Sequence, residues 1–197
     1  DLVSLRPRSA EFVEAVSKCH IAMGRPQQAV AAALSARERG VTSESLQLTL
    51  SQAYFSSGRL AEALAVLESG GWPRLGAQRA ALLAQVLERQ RQYDDAIDAA
   101  SHAINLAPDN DVPHRVIARI DRSRHNLDAA RSRLEALVLS SLAPEALGHT
   151  CMELGQVLDE LSQTDEAMQR FEQGHAAFSL HNPSLDPEMD AYIARLD

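Results

Sequence analysis

Three arginines, Arg115, Arg119 and Arg122, follow one another at i, i+4 and i+7, a spacing that puts all three on one face of a helix. Like charges in such a row repel by about 0.2–0.5 kcal/mol per pair, so the row calls for an anion opposite it. Asp159 elsewhere in the chain is one candidate; a carboxylate, sulfate or phosphate on a partner is another. A solvated basic face is the other reading of the same residues. His149 and Cys151 stand two apart, point different ways on a helix and make a poor metal pair. His175 and His181 flank an expected helix end and read as exposed. His20 and His114 fall at half-buried positions and read as hydrogen-bonded structural histidines. The carboxylate pairs Asp94-Asp95, Asp159-Glu160 and Asp165-Glu166 fall at helix starts or exposed faces, where capping and the helix dipole account for them. The chain contains no glycine-rich phosphate loop and no G-x-S-x-G elbow. No catalytic, cofactor or metal site is therefore expected, and this stretch of chain is not expected to be an enzyme.

The elements that carry these residues follow from composition and period. Aromatics make up 4% of the 197 residues and hydrophobic residues 45%. The core must then be built mainly from Ala, Leu, Val and Ile, which suits closely packed helices. The net charge of −8 disfavours generic attraction to nucleic acid or an anionic membrane, and no apolar run approaches a membrane span. Lys18 is the sole lysine beside many arginines, which points to a GC-rich bacterial gene. Cys19 and Cys151 fall in segments expected to lie far apart, so no disulfide is expected, in keeping with a reducing, cytoplasmic setting. The chain opens on Asp1 without a signal-peptide pattern and reads as a piece of a longer protein.

Aligning on Ala167 of "DEAM" finds Ala29, Ala63, Ala96 and Ala130 in similar surroundings, with successive spacings of 34, 33, 34 and 37 residues. Twelve residues before each alanine stands another small residue: Ser17, Ser51, Ala84, Ala118 and Gly155. Each follows an apolar one: Val16, Leu50, Leu83, Ile117 and Leu154. Seven residues after each alanine come Ala36, Gly70, Ala103, Leu137 and Gly174. This pattern resembles the tetratricopeptide repeat family, whose unit of about 34 residues is a helix–turn–helix. The resemblance implies an all-α, right-handed superhelix of five helical hairpins, near 10–42, 44–75, 77–108, 111–142 and 144–180, within one domain. Small residues let the two helices of a hairpin approach, and Leu154, Leu158 and Phe171 fill the space beside Gly155 and Ala167. His20 and Asp121 depart from the pattern where a large apolar residue is usual, so helices one and seven could be slightly rotated.

Pro26 and Pro144 suit first helical positions and Pro108 a helix stop. The three extra residues before the fifth repeat are expected to lengthen the loop around "LSSLAPEAL". Asp186 can cap a last helix over 186–196, in which Met189, Tyr192, Ile193 and Leu196 form an apolar stripe that would dock on the fifth repeat and close the stack.

In the family, the first helix of each repeat lines an inner groove through its second, fifth, ninth and twelfth positions. The resemblance implies a mixed groove with Gln52, Phe55 and Gln85, the basic row Arg115, Arg119 and Arg122, and Asp159. Its partner would be a protein or peptide, with an acidic segment suggested by the arginines. The Lys/Asn clamp of chaperone-binding members is not reproduced, since Lys18 at a ninth position is preceded by Glu14 at the fifth. The segment "LGQVLDELSQTDEAMQRFEQGHAAF…LDPEMDAYIARL" is further similar to the last repeat of bacterial proteins in which a tetratricopeptide array precedes a sulfotransferase domain. Leu154, Gly155, Leu158, Asp159, Leu161, Asp165, Glu166, Ala167, Phe171, Gly174, Asp186 and Pro187 carry that similarity. Ser162-Gln163-Thr164 and His175 depart from it. It implies a downstream catalytic domain using a phosphosulfate donor (PAPS), in intramolecular contact with the array, with none of its catalytic residues on this chain. A stand-alone adaptor or assembly scaffold is the alternative.

Overall fold

The computed structural model describes residues 10–41, 43–69, 72–140 and 142–181. Among them, ten helices run in order: α1 (Ala10–Ala22), α2 (Pro26–Glu38), α3 (Glu44–Ser56), α4 (Leu60–Glu68), α5 (Gly76–Arg89), α6 (Tyr93–Leu106), α7 (Asp111–Ser123), α8 (Leu127–Val138), α9 (Pro144–Glu160) and α10 (Thr164–His181). They form five helical hairpins, α1/α2 to α9/α10, and the described residues contain no strand. The all-α expectation holds. The expected last helix over 186–196 lies outside the described residues. The chain divides into two compact units, Asp1–Val116 and Ile117–Asp197, the division falling inside α7.

Local chemistry fixes where the helices begin and stop. Pro26 and Pro144 open α2 and α9, where a missing N–H costs nothing. The Ser43 hydroxyl accepts from Leu46 N at 3.0 Å and caps α3. Five tight turns join the paired helices, and each reverses direction through one left-handed residue: Gly24, Gly58, Arg91, His125 and Ser162, with φ between 60° and 77°. Each donates its N–H three residues back, and the following residue donates five back: Arg25 to His20, Arg59 to Tyr54, Gln92 to Leu87, Asn126 to Asp121 and Gln163 to Leu158, all at 2.8–2.9 Å. This double closure satisfies the last carbonyls of the first helix. Each of these five turn residues stands five ahead of a signature alanine, so turns and crossings repeat in phase.

In the first unit α1 packs on α2, α3 on α4 and α5 on α6; α2 packs on α3 and α4 on α5, and α1, α3 and α5 lie side by side. In the second unit α9 packs on both α8 and α10. The signature residues sit at these crossings. Ala29, Ala63, Ala96 and Ala130 are fully buried and Ala167 nearly so; Ser17, Ser51, Ala84 and Ala118 face them equally buried. Hairpins one and four keep this register despite His20 and Asp121, because the small pairs Ser17–Ala29 and Ala118–Ala130 stay in the crossing. Asp121 instead meets Arg133 of α8, Oδ2 to Nε 3.9 Å, an ion pair where other hairpins bury apolar carbon.

Hairpin five shows the closest approach. A Cβ on Gly155 would lie 2.5–2.9 Å from ring atoms of Phe171, and one on Gly148 2.7–2.9 Å from ring atoms of Phe178. Gly174 backs onto the Gly148 carbonyl, which a Cβ would meet at 3.1 Å. Two glycines seven residues apart on α9 thus receive two phenylalanines seven apart on α10. The three extra residues do not lengthen the loop, contrary to expectation. They add a turn to α9: Pro144 stands eleven residues ahead of Gly155, against seven from Glu44 to Ser51 and eight from Gly76 to Ala84. Glu145-Ala146-Leu147 are all good helix formers behind a proline that favours the first position, so the added residues continue the helix. Gly148 and Phe178 then extend the crossing by the same turn.

Candidate binding face

Within the first unit, Glu14, Lys18 and Ile21 of α1 and Leu48, Thr49 and Gln52 of α3 line one depression of about 110 Å³. Ligand pockets run to about 300–1,000 Å³, so this space suits a single side chain. Half-buried Ile21 and Leu48 line it with carbon, and Glu14, Lys18, Gln52 and buried Thr49 line it with polar groups. Lys18 Nζ lies 2.6 Å from Glu14 Oε1, one turn back on the helix, and the Ser45 hydroxyl of α3 donates to Glu14 Oε2. Those two hydrogen bonds, Lys18's first, hold the Glu14 carboxyl below its ordinary range. Along the same face, half-buried Phe55 lies under the Arg89 guanidinium, 5.5 Å from ring centroid to Cζ, and Gln85 of α5 is half-buried. The expected residues Gln52, Phe55 and Gln85 thus lie on adjacent helices of one unit. Thr49 and Arg89 were not anticipated, and Glu14 and Lys18 entered the sequence reading only as a departure from the chaperone clamp.

Loop anchoring keeps α3 and α5 in place. Glu44 Oε2 accepts the backbone N–H groups of Arg74 and Leu75 at 3.0 and 2.9 Å, just ahead of α5, and Arg79 Nε donates to the Leu67 carbonyl at 2.6 Å near the end of α4. A carboxylate at one helix start and a guanidinium at another helix end both oppose the local dipole.

The basic row is not open. Arg115 Nε lies 2.9 Å from Asp111 Oδ2 on its own helix. In the second unit Arg119 Nη1 lies 2.8 Å from Glu153 Oε1, Arg122 Nε lies 3.2 Å from Glu160 Oε1, and Arg122 also donates to Gln156. The anion opposite Arg119 and Arg122 is therefore α9, through Glu153 and Glu160 rather than Asp159, which is exposed on the flank. The repeat spacing points elsewhere: the step from hairpin four to hairpin five is 37 residues, which sets Arg119 level with Gln156 and Arg122 level with Asp159, whereas Arg119 meets Glu153, 34 residues on.

The remaining candidates for chemistry separate as their spacing implies. His149 is exposed, its ring edge-on to Phe178 with centroids 5.0 Å apart, whereas Cys151 is fully buried and burial raises its thiol pKa. His114 Nε2 lies 3.4 Å from the Pro108 carbonyl, as a structural histidine should. His20 departs from that expectation: among the described residues its buried Nδ1 has no hydrogen-bond partner. Both cysteines are free thiols. Among the described residues no group of three or more His, Cys, Asp or Glu could hold a metal ion, and no helix is long and apolar enough to cross a membrane.

Residues 77–110 match the family model described as Tetratricopeptide repeat, covering α5, α6 and the turn between them. The fold is a tetratricopeptide one. The chain is similar to a structure described as "Crystal structure of MamA" (TM-score 0.59, 17% identity, 84% of this chain and 96% of that one). It is also similar to MamA from Desulfovibrio magneticus RS-1 (TM-score 0.58, 15% identity, 88% and 97%). Against "Crystal structure of APC/C hetero-tetramer Cut9-Hcn1" the TM-score is 0.75 at 15% identity, over 90% of this chain and 35% of that one. No curated protein matches the sequence.

Proposed function

We propose that this chain is a protein-recognition module that takes an extended segment of its partner along the first-helix face of hairpins one to three. The observation that carries it is the side-chain-sized depression between α1 and α3, with Gln52, Phe55 and Gln85 continuing the same face. An amide side chain both donates and accepts, so Gln52 and Gln85 suit a peptide backbone, while Leu48 and Ile21 suit an apolar side chain. The test is a peptide-library selection on the wild-type chain, followed by Leu48→Asp, Gln52→Ala and Phe55→Ala. Loss of binding with little change in Tm is expected; selected peptides that bind all three variants unchanged overturn the reading.

The acidic-segment reading of the arginines weakens, since Glu153 and Glu160 already neutralise Arg119 and Arg122. Arg119→Glu should cost stability and leave peptide binding intact; a lost acidic ligand with unchanged Tm would restore that reading. The residues of 154–187 support placing the module ahead of a sulfotransferase domain in a bacterial, cytoplasmic protein, with the array presenting an acceptor to that domain. The gene sequence beyond Asp197 decides between this and a stand-alone adaptor: the absence of a strand followed by a phosphate-binding loop removes the transferase reading.

A further inference from the structure

Within the second unit, the side chains that join hairpin four to hairpin five are divided by charge. On one side Arg119 and Arg122 of α7 meet Glu153 and Glu160 of α9 at 2.8 and 3.2 Å, with Gln156 accepting from Arg122. On the other side Arg131 of α8 donates to Gln163 at 2.9 Å, ahead of α10, and lies 3.6 Å from Glu166 Oε2. Glu135 on its own helix steadies the same guanidinium at 2.8 Å. In each contact that crosses between the hairpins, hairpin four contributes the guanidinium and hairpin five the carboxylate or amide oxygen. Between the two rows runs an apolar seam of Leu134 and Leu137 against Leu154, Val157 and Leu158.

The seam is non-directional. Alanine and leucine edges recur in every hairpin of this chain, so apolar contact alone accepts any of them, or the same edge of a second copy. Charge discriminates. Hairpin five carries Glu145, Glu153, Asp159, Glu160, Asp165, Glu166 and Glu172 against Arg170 alone. Hairpin four in its place, aligned with Ala118 at the position of Gly155, would put Val116, Arg119 and Ser123 where Glu153, Gln156 and Glu160 stand, which removes both carboxylates and sets Arg122 against an arginine. Half-exposed pairs add little strength, but a like-charge mismatch rejects a wrong neighbour.

We propose that these rows are a pairing key: they select hairpin five as the neighbour of hairpin four, fix its register, and exclude the hairpins of a second copy. The test uses the full chain, with hydrogen exchange read by mass spectrometry and mass by light scattering. Glu153→Arg with Glu160→Arg should speed exchange in α9 and α10 about tenfold or more at low salt while α3–α6 keep their protection. About 0.5 M NaCl should narrow the difference by screening the new repulsion. Adding Arg119→Glu and Arg122→Glu to that variant reverses both sides of the row and should return exchange to within about threefold of wild type, as a monomer. Unchanged exchange in the two-site variant overturns the proposal. So does a four-site variant that exchanges as fast as the two-site one or fails to fold, because a key must work with its signs reversed.

Discussion

Replacing Gly155 by alanine should change sign in its effect on stability according to what stands at position 171. The backbone of α9 gains about 1 kcal/mol from the exchange, since glycine is a poor helix former. Against this, the new Cβ would sit 2.5 Å from Phe171 Cε1, 2.7 Å from Cδ1 and 2.9 Å from Cζ, all closer than Cβ atoms in proteins approach a neighbouring heavy atom. The ring is half-buried over Leu154 and Leu158, so it must swing outward and lose contacts, at about 1–3 kcal/mol for overpacking of this kind. In the wild-type background Gly155→Ala should therefore be neutral to destabilising by about 2 kcal/mol, the propensity gain offsetting part of the clash. In a Phe171→Ala background the clash is gone and the same exchange should stabilise by about 1 kcal/mol. Urea unfolding followed by circular dichroism on the four chains of the cycle measures the coupling directly, with about 1–3 kcal/mol expected. A Gly155→Ala effect equal in both backgrounds refutes the reasoning, because it would show that glycine is not there to admit the ring.

Ser162→Gly should stabilise by up to about 1 kcal/mol, since serine carries a left-handed φ of 62° that glycine adopts without strain; Gly58→Ala, with open space around its Cβ, should destabilise by about as much through backbone conformation alone. Thermal melts of the two variants check both signs. For the Asp121–Arg133 pair, Asp121→Leu alone should destabilise, whereas Asp121→Leu with Arg133→Leu should recover most of the loss or exceed wild type, as apolar replacements of inward ion pairs do; urea midpoints decide. Glu14 has a folded pKa lowered from 4.5, so its contribution is present above that value and disappears as pH falls through the lower folded value. The stability difference between wild type and Glu14→Gln should accordingly be full at pH 7 and vanish in acid below 4.5; a difference that persists at the acid end contradicts the assignment. A thiol reagent should label exposed Cys19 in the native chain and reach buried Cys151, whose thiol burial keeps protonated, only on unfolding.

Some of this was legible in the sequence and some was not, for identifiable reasons. The recurrence of Ala29, Ala63, Ala96, Ala130 and Ala167 determined the hairpins, because a crossing that admits only a small side chain leaves that requirement in the residue type itself. Pro26 and Pro144 likewise announced their helix starts. The left-handed turn residues were half legible: Gly24 and Gly58 display the requirement, while Arg91, His125 and Ser162 meet it at a cost in backbone strain that residue type conceals. The extra turn of α9 is not legible, since three added residues look alike whether they extend a helix or a connection until Phe178 is seen over Gly148. Above all, the arginine row displayed its charge and its shared face but not its counter-ions. A long side chain on α9 can reach a neighbouring helix from any of several consecutive positions, and only the rotation of α9 about its own axis chose Glu153 and Glu160 over Asp159. Period and residue size therefore determined the helical frame. Which charged groups face one another was left to tertiary packing, because it depends on helix rotations of a fraction of a turn that no spacing rule encodes.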